Sequence, residues 1–464
     1  MSSPSLHHDA VADSAAGSVA DVTSRLERLP FSNWQVKVRL LVGTATFFDA
    51  FDALVIAQVL PVLVPLWGLN GAQTGLLISI GYLGQLVGAL GFSALAERRG
   101  RVPALIFAII LFAVMSIACV FAWNFWSLLI FRTIQGIGLG AQVPLAAVYI
   151  SELTKAHGRG RFVLLYELIF SVGVVAAGLV GLWVVPNLGW QYMFVIGALP
   201  IVVVYFIKRF VPESPRWLAS KGRAHDADVV LSEVERKVEK AKGEPLAAPQ
   251  SISIEAPSTN RTHWTELFRG VYLRRTLIVW LLWFAAYLVY YGIGTWMPTL
   301  YSTVFKLPLS QSLLYGLIGN LAALAGAAAC AFIVDFIGRR VLFTVGLIGA
   351  GAFLMALAIA GAGSAGLVLV LGSGAYFFAS ATAVGLYLYT PELYPTRVRA
   401  LGVGVATSWL RIASMLGPLL IGVLVASGLV PIFIVFGIVS LLAALLVGIF
   451  AVETKQKVLE RLSP

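Results

Sequence analysis

Twelve stretches of this 464-residue chain are apolar over about the 20 residues that a helix needs to cross a bilayer. They lie at 38–66, 74–95, 102–122, 125–150, 162–185, 190–208, 275–300, 311–334, 341–362, 366–390, 401–427 and 430–451. In hydrocarbon every backbone polar group must be paired within the chain, so only helices or closed barrels can span it. A barrel would read as short alternating segments, and these stretches are long and continuously apolar. Only 12% of the residues are charged, about half of the roughly 25% usual in soluble chains. A soluble globular enzyme and a disordered chain are both excluded. The predicted fold is an all-α integral membrane protein with twelve transmembrane helices.

The polar segments set the domain organisation. Residues 1–37 form an N-terminal tail, 38–208 a six-helix bundle and 209–274 a polar linker, followed by a second six-helix bundle at 275–451 and a C-terminal tail at 452–464. The start of the chain lacks the basic, apolar and cleavage-site pattern of a signal peptide. Thirty of the 33 Lys and Arg residues fall on one side of the predicted spans: in both tails, the linker and the loops beginning near Arg98, Lys155, Arg339 and Arg397. The other side has Lys306 alone, and Arg132 and Arg411 lie within spans. Basic residues concentrate on the cytoplasmic side, so both termini and the linker are predicted to be cytoplasmic. The net charge of +11 is then a topology signal and implies no nucleic-acid partner. The sequon Asn260-Arg261-Thr262 falls on the cytoplasmic side and carries no meaning there. Cys119 and Cys330 sit inside apolar runs and imply no disulfide framework.

The two halves repeat. Glu97-Arg98-Arg99-Gly100-Arg101 returns as Asp335-Phe336-Ile337-Gly338-Arg339-Arg340, 238 residues later, and Tyr149-Ile150-Ser151-Glu152 returns as Tyr389-Thr390-Pro391-Glu392 after 240. Arg159 and Arg399 each follow their Glu by seven. Internal repeats of six spans build transporters in which two pseudo-symmetric bundles rock about a site at mid-membrane.

On these residues the chain resembles the major facilitator superfamily, whose loop motif is an acid followed by Arg-x-Gly-Arg. Pro212-Glu213-Ser214-Pro215-Arg216-Trp217-Leu218, Arg132 with Gly136, Gly138 and Gly140, and the run Glu392 to Arg399 resemble its sugar-porter and organic-ion-transporter branch. Asp49-Ala50-Phe51-Asp52 is similar to the Asp-Gly-aromatic-Asp element of aromatic acid:proton symporters, with Ala50 in place of the Gly. The chain also resembles bacterial nicotinate transporters, relatives of animal organic anion transporters. The resemblance implies a multi-pass protein of the bacterial inner membrane, monomeric, without enzymatic activity or a bound cofactor, and driven by the proton gradient.

Ionisable groups within a membrane are costly and mark function. Asp52 and Arg132 fall at similar depth. Either they form a fixed interhelical salt bridge, or Asp52 takes a proton when Arg132 turns away; the resemblance to sugar–proton symporters supports the switch, with Asp49 one turn off. The repeat partners of Asp52, Arg132 and Arg411 are Tyr291, Gly372 and Ser171, so the scaffold does not require these charges. Arg411, near mid-depth, needs an anion. That could be Asp49 or Glu167, or the carboxylate of a substrate, which its planar fork suits. Organic anion transporters have an Arg at the matching place. Tyr287, Tyr290, Tyr291, Trp409, Phe51 and Tyr387 are candidates to stack on an aromatic ring, or else face lipid. Gln85, Gln142 and Asn320 could hydrogen-bond a ring nitrogen, or simply bridge helices.

The glycines Gly136, Gly138 and Gly140 are spaced for close helix contact, and no phosphate loop or metal cluster occurs. Glu97, Arg101, Glu152, Arg159, Asp335, Arg339, Glu392 and Arg399 read as cytoplasmic gating latches that hold an outward-facing state. The linker carries a charged amphipathic stretch at 214–242 and a Pro/Ser/Ala tether at 244–262. The leading reading is a proton-coupled carrier of a small aromatic or heteroaromatic carboxylate, nicotinate first and benzoate-type acids second. A sugar or organic-cation carrier and a non-transporting membrane sensor are the alternatives.

Overall fold

The computed structural model describes residues 21–30, 33–153, 159–246, 248 and 264–455. Among them there are helices and no strands. Twelve helices are long and apolar enough to cross a membrane. They are α1 (Asn33–Trp67), α2 (Gly71–Arg99), α3 (Arg101–Val120), α4 (Phe125–Leu153), α5 (Arg159–Asn187), α6 (Gln191–Phe210), α7 (Gly270–Thr303), α8 (Leu309–Ile337), α9 (Arg339–Ile359), α10 (Ala365–Glu392), α11 (Thr396–Leu424) and α12 (Leu429–Phe450). Several exceed their predicted spans. The 35 residues of α1 would run to about 52 Å at 1.5 Å per residue, so its ends pass well beyond the hydrocarbon.

One span departs in kind. The expected single helix at 190–208 is broken into Gln191–Gly197 and Pro200–Phe210. Pro200 has no amide hydrogen to continue the ladder and stands where a new helix begins. The charged stretch of the linker forms two helices, Pro215–Ser220 and Ala224–Lys242. The first is capped by Ser214, whose hydroxyl accepts from the Trp217 amide. The second ends at Gly243 in the left-handed region, φ 74°. Most of the tether at 244–262 lies outside the described residues.

The N-terminal segment from residue 21 is helical and lies on the linker. Val22, Leu26 and Leu29 share a core with Leu231, Val234 and Val238. Arg25 donates to both Glu235 oxygens at 3.1 and 2.8 Å, and Arg28 donates to Glu235 at 2.6 Å. Burial alone would push the Glu235 carboxyl up, but the hydrogen bonds from Arg25 and Arg28 outweigh it and hold it below its ordinary value. This clasp therefore stabilises above the ordinary carboxylate range and is lost as pH falls through the lowered value.

The face with the termini and linker is here the terminal face, and the opposite one the far face. In the far half the bundles are joined. One apolar core runs through the second bundle and takes in Val55–Leu63 of α1, Leu77 of α2 and Val184 of α5. Gly75 of α2 meets α11 so closely that a methyl group on it would lie 2.8 Å from the Pro418 carbonyl oxygen. Gly178 of α5 meets Leu317 and Asn320 of α8 in the same way. The terminal half of the first bundle instead has its own core, shared with the linker and running through Val42, Ala96, Leu105, Leu145 and Trp217. Gly404, in the terminal half of α11, faces open space. The bundles are thus closed on the far side.

Candidate functional site

Asp52 of α1 and Arg132 of α4 meet inside the first bundle. Arg132 Nη1 donates to Asp52 Oδ2 at 2.9 Å, and both side chains are buried. Gln135, one turn along α4, completes the set. Its amide nitrogen donates to Asp52 Oδ1 at 2.9 Å and to Ser116 Oγ at 2.6 Å, and its oxygen accepts from Arg132 Nη1 at 2.9 Å. Each Asp52 oxygen therefore has its own donor. α4 can lie close enough because Gly136 and Gly140 pack against the backbone of α2 at Gly84 and Gln85. Neither Gln135 nor Ser116 was singled out from the sequence. The spacing of three between Arg132 and Gln135 was the available signal, since it puts both on one helix face.

Arg411 of α11 reaches across to the first bundle and donates through Nη1 to Gln85 Oε1 of α2. Neither alternative carboxylate pairs with it: among the described residues, no ion pair within 4 Å involves Arg411, Asp49 or Glu167. Asp49 is buried, and its Oδ1 has no hydrogen-bond partner. Arg411 and Asp49 still lie within Coulombic reach of one another.

Aromatic rings form a layer beside Arg411. Tyr82 of α2 and Tyr291 of α7 face each other across the bundle boundary, centroids 4.9 Å apart. Tyr287 stacks on Tyr291 at 5.8 Å and on Trp283 at 5.4 Å. Tyr290 stands edge-on to Tyr291 at 5.2 Å and contacts Tyr376 at 4.9 Å. Tyr387 of α10 stands edge-on to Trp283 at 5.0 Å. So Tyr287, Tyr290, Tyr291 and Tyr387 come together, joined by Tyr82, Tyr376 and Trp283, which sequence reasoning did not select. Trp409 is elsewhere, against Trp280 and Phe284. Phe51 packs against Phe48. Gln142 is fully buried with both amide atoms unpartnered. Asn320 lines a small cavity with Tyr315, Ser373 and Tyr376.

The terminal-face motifs pair differently from expectation. Arg101 binds Glu97 at 2.8 Å and Glu152 at 3.1 Å; Arg339 binds Asp335 and Glu392, each at 2.9 Å. The supposed Glu392–Arg399 pair does not form, because Glu392 is held by Arg339 while Arg399 donates to the Tyr394 carbonyl. The Arg159 side chain lies outside the described residues. Among the described residues each network stays within its own bundle, where it braces helix ends.

Two further acids belong to these networks. Glu213 accepts from the Arg101 amide at 3.0 Å, and Glu453 accepts from the Arg339 and Arg340 amides, each at 3.0 Å. Tyr149 donates to the Pro212 carbonyl, and Tyr389 to the Val452 carbonyl. The repeat offset of 240 that relates Tyr149 to Tyr389 also relates Glu213 to Glu453, and that second match was the unused signal. Gly100 and Gly338 take φ of 108° and 87°, which favours glycine, and a methyl group on Gly338 would lie 2.6 Å from the Glu453 carboxylate. Burial pushes the Glu213 carboxyl up despite its amide donors, whereas at Glu453 the donors outweigh burial and hold it low.

The paired acids are unequal. Glu97 and Asp335 are 60% and 66% exposed in i,i+4 pairs, worth about 0.3–0.5 kcal/mol each. Glu392 is 19% exposed and also accepts from Thr454, so its removal should cost about 1–3 kcal/mol. Glu392→Ala is expected to lower the thermal midpoint clearly, and Asp335→Ala hardly at all. A shift for Glu392→Ala no larger than the small one expected for Asp335→Ala would make Glu392 a plain surface charge.

Residues 44–464 match the family described as sugar (and other) transporter. The chain is 35% identical over 452 residues to the niacin transporter NiaP of Acinetobacter baylyi, covering 95% of this chain and 99% of that one. It is 31% identical over 291 residues to the 4-hydroxybenzoate transporter PcaK of Pseudomonas putida, covering 62% and 64% respectively. The xylose transporter XylE of E. coli, solved partially occluded and inward-open, superposes with a TM-score of 0.69 over 92% of this chain and all of that one, at 21% identity.

Proposed function

Because the chain belongs to the sugar (and other) transporter family of the major facilitator superfamily, we propose that it carries a small aromatic or heteroaromatic carboxylate, nicotinate first, across the bacterial inner membrane by alternating access and with protons. Arg411 carries this reading. It is a mid-depth guanidinium with one neutral partner, Gln85, next to a layer of tyrosines. A flat ring can stack on those tyrosines while its carboxylate meets the guanidinium fork.

Charge balance supports the proton. Asp52 and Arg132 offset each other, which leaves Asp49 and Glu167 against Arg411. That set already holds one carboxylate too many when all are ionised, and an anionic substrate makes two. Uncompensated charge is costly within a membrane, and a bound proton removes one of the two, restoring the balance held before the substrate arrived. The termini and linker are read as cytoplasmic from their Lys and Arg excess, so a protein closed on the far side opens inward.

A sugar carrier would use free carboxamides at mid-depth. Gln85 and Gln135 are committed to Arg411 and Asp52, and of the buried glutamines described at that level only Gln142 is left unpartnered. The test is a thermal-shift screen of purified protein against small acids, their amides, amines and sugars, since a ligand stabilises the state that binds it. Nicotinate or a hydroxybenzoate is expected to raise the midpoint most. A response to sugars or amines alone would overturn the reading.

A further inference from the structure

We infer that Gln58 is an entry residue: once the bundles part on the far side, its carboxamide is the first hydrogen-bonding group to receive the planar carboxylate or carboxamide of an incoming ligand. The inference deepens the transport reading above and names a position apart from Arg411 and Asp52.

Gln58 lies two turns beyond Asp52 on α1, toward the far face. It is fully buried, and neither its amide nitrogen nor its oxygen has a partner among the described residues. Buried carboxamides are ordinarily paired, and an unpaired one calls for an explanation. Of the four buried glutamines among the described residues, Gln85 and Gln135 are satisfied by Arg411 and Asp52. Gln142 also lacks partners but lies in the terminal half of α4, level with the site already described. Gln58 alone is held in the closed far half.

Its surroundings place it one turn from the seam that must open. The side chain lies over Gly181 of α5, where a Cβ would sit 2.9 Å from its Cγ and Oε1. One turn back on nearly the same face, Gly178 meets Asn320 of α8, where a Cβ would sit 3.1 Å from the Asn320 Nδ2. Two carboxamides, one from each bundle, therefore approach one glycine face of α5. Asn320 also borders a cavity of about 10 Å³, barely room for one water. The closed form has no space for a ligand here; separation of α5 from α8 would free Asn320 from Gly178 and open the seam one turn from Gln58, which packs on α5 within its own bundle. A carboxamide offers two donors and an acceptor, which match a planar acid or amide group. On this account the unpaired amide costs stability in the closed form and is used in the open one.

Three readings on one variant test this. Gln58→Leu keeps the bulk and removes the polar atoms. Its thermal midpoint without ligand is expected to stay at the wild-type value or rise by about a few degrees. The KM for uptake from the far face in proteoliposomes should rise about tenfold. The equilibrium Kd of the purified protein should change much less than that. The probe is labelled nicotinate, or whichever compound stabilises wild type most in the screen above, so failure of the substrate assignment shows in wild type and leaves this inference to be judged on the other ligand. A lowered thermal midpoint would mean that Gln58 is a satisfied structural group. An unchanged uptake KM, or equal losses in KM and Kd, would likewise overturn its role at entry.

Discussion

Asp52→Asn is expected to abolish accumulation of substrate against a gradient while leaving exchange of labelled for unlabelled substrate measurable. Asn has the shape of the protonated carboxyl but cannot release a proton, so a carrier that needs Asp52 to cycle between charged and neutral forms becomes an exchanger. The geometry explains why the cycle can be tight. Arg132 holds one Asp52 oxygen at 2.9 Å, and Gln135 holds the other at the same distance. A proton arriving while Gln135 stays in place competes with Arg132 for Oδ2. The variant also leaves the Arg132 guanidinium buried without its counter-ion, at a cost of about 3–5 kcal/mol, so its thermal midpoint should fall. Uphill uptake by a folded Asp52→Asn protein would rule out the switch and leave a fixed interhelical salt bridge.

Arg411→Ala is expected to lose affinity for an acid far more than for the matching neutral amide. A carboxylate held by a guanidinium in a dry site gains about 1.5–3 kcal/mol from charge-assisted hydrogen bonds, so the acid should weaken about tenfold or more. Arg411→Lys keeps the charge but loses the planar fork and should be impaired as well. The structure strengthens the contrast, because among the described residues no carboxylate pairs with Arg411 within 4 Å and its hydrogen bond goes to neutral Gln85. Equal losses for acid and amide would remove Arg411 from the binding site. Binding titrations of both ligands on both proteins decide it.

Much of this arrangement could be read from the chain. Continuous apolar stretches forced helices, and depth counted at a fixed rise per residue brought Asp52 level with Arg132. What depth cannot supply is the neighbour across a helix interface. Arg411 had two acidic candidates, and the structure gives it Gln85, because α2 and α11 pack along one another through small residues such as Gly75 and Gly422. Ser116 carries no charge to raise the cost of burial, so nothing in an apolar helix flags it, and Gln135 is flagged only by its spacing of three from Arg132. Trp409 shares a helix with Arg411 but packs on Trp280 and Phe284, since the direction of a ring depends on tilt and rotation that composition does not record. The terminal-face networks were legible in residue type and mistaken in pairing. Glu152 and Arg159 suggested a pair along the chain, while Arg101 folds back to take Glu152.

The most direct measurement is uptake of labelled nicotinate into proteoliposomes of the purified protein under an imposed proton gradient, acidic outside. The account predicts accumulation above the outside concentration that collapses when a protonophore is added, together with faster counterflow when unlabelled nicotinate is trapped inside. Binding of nicotinate without counterflow would make the protein a sensor, and counterflow that a proton gradient cannot drive uphill would contradict proton coupling.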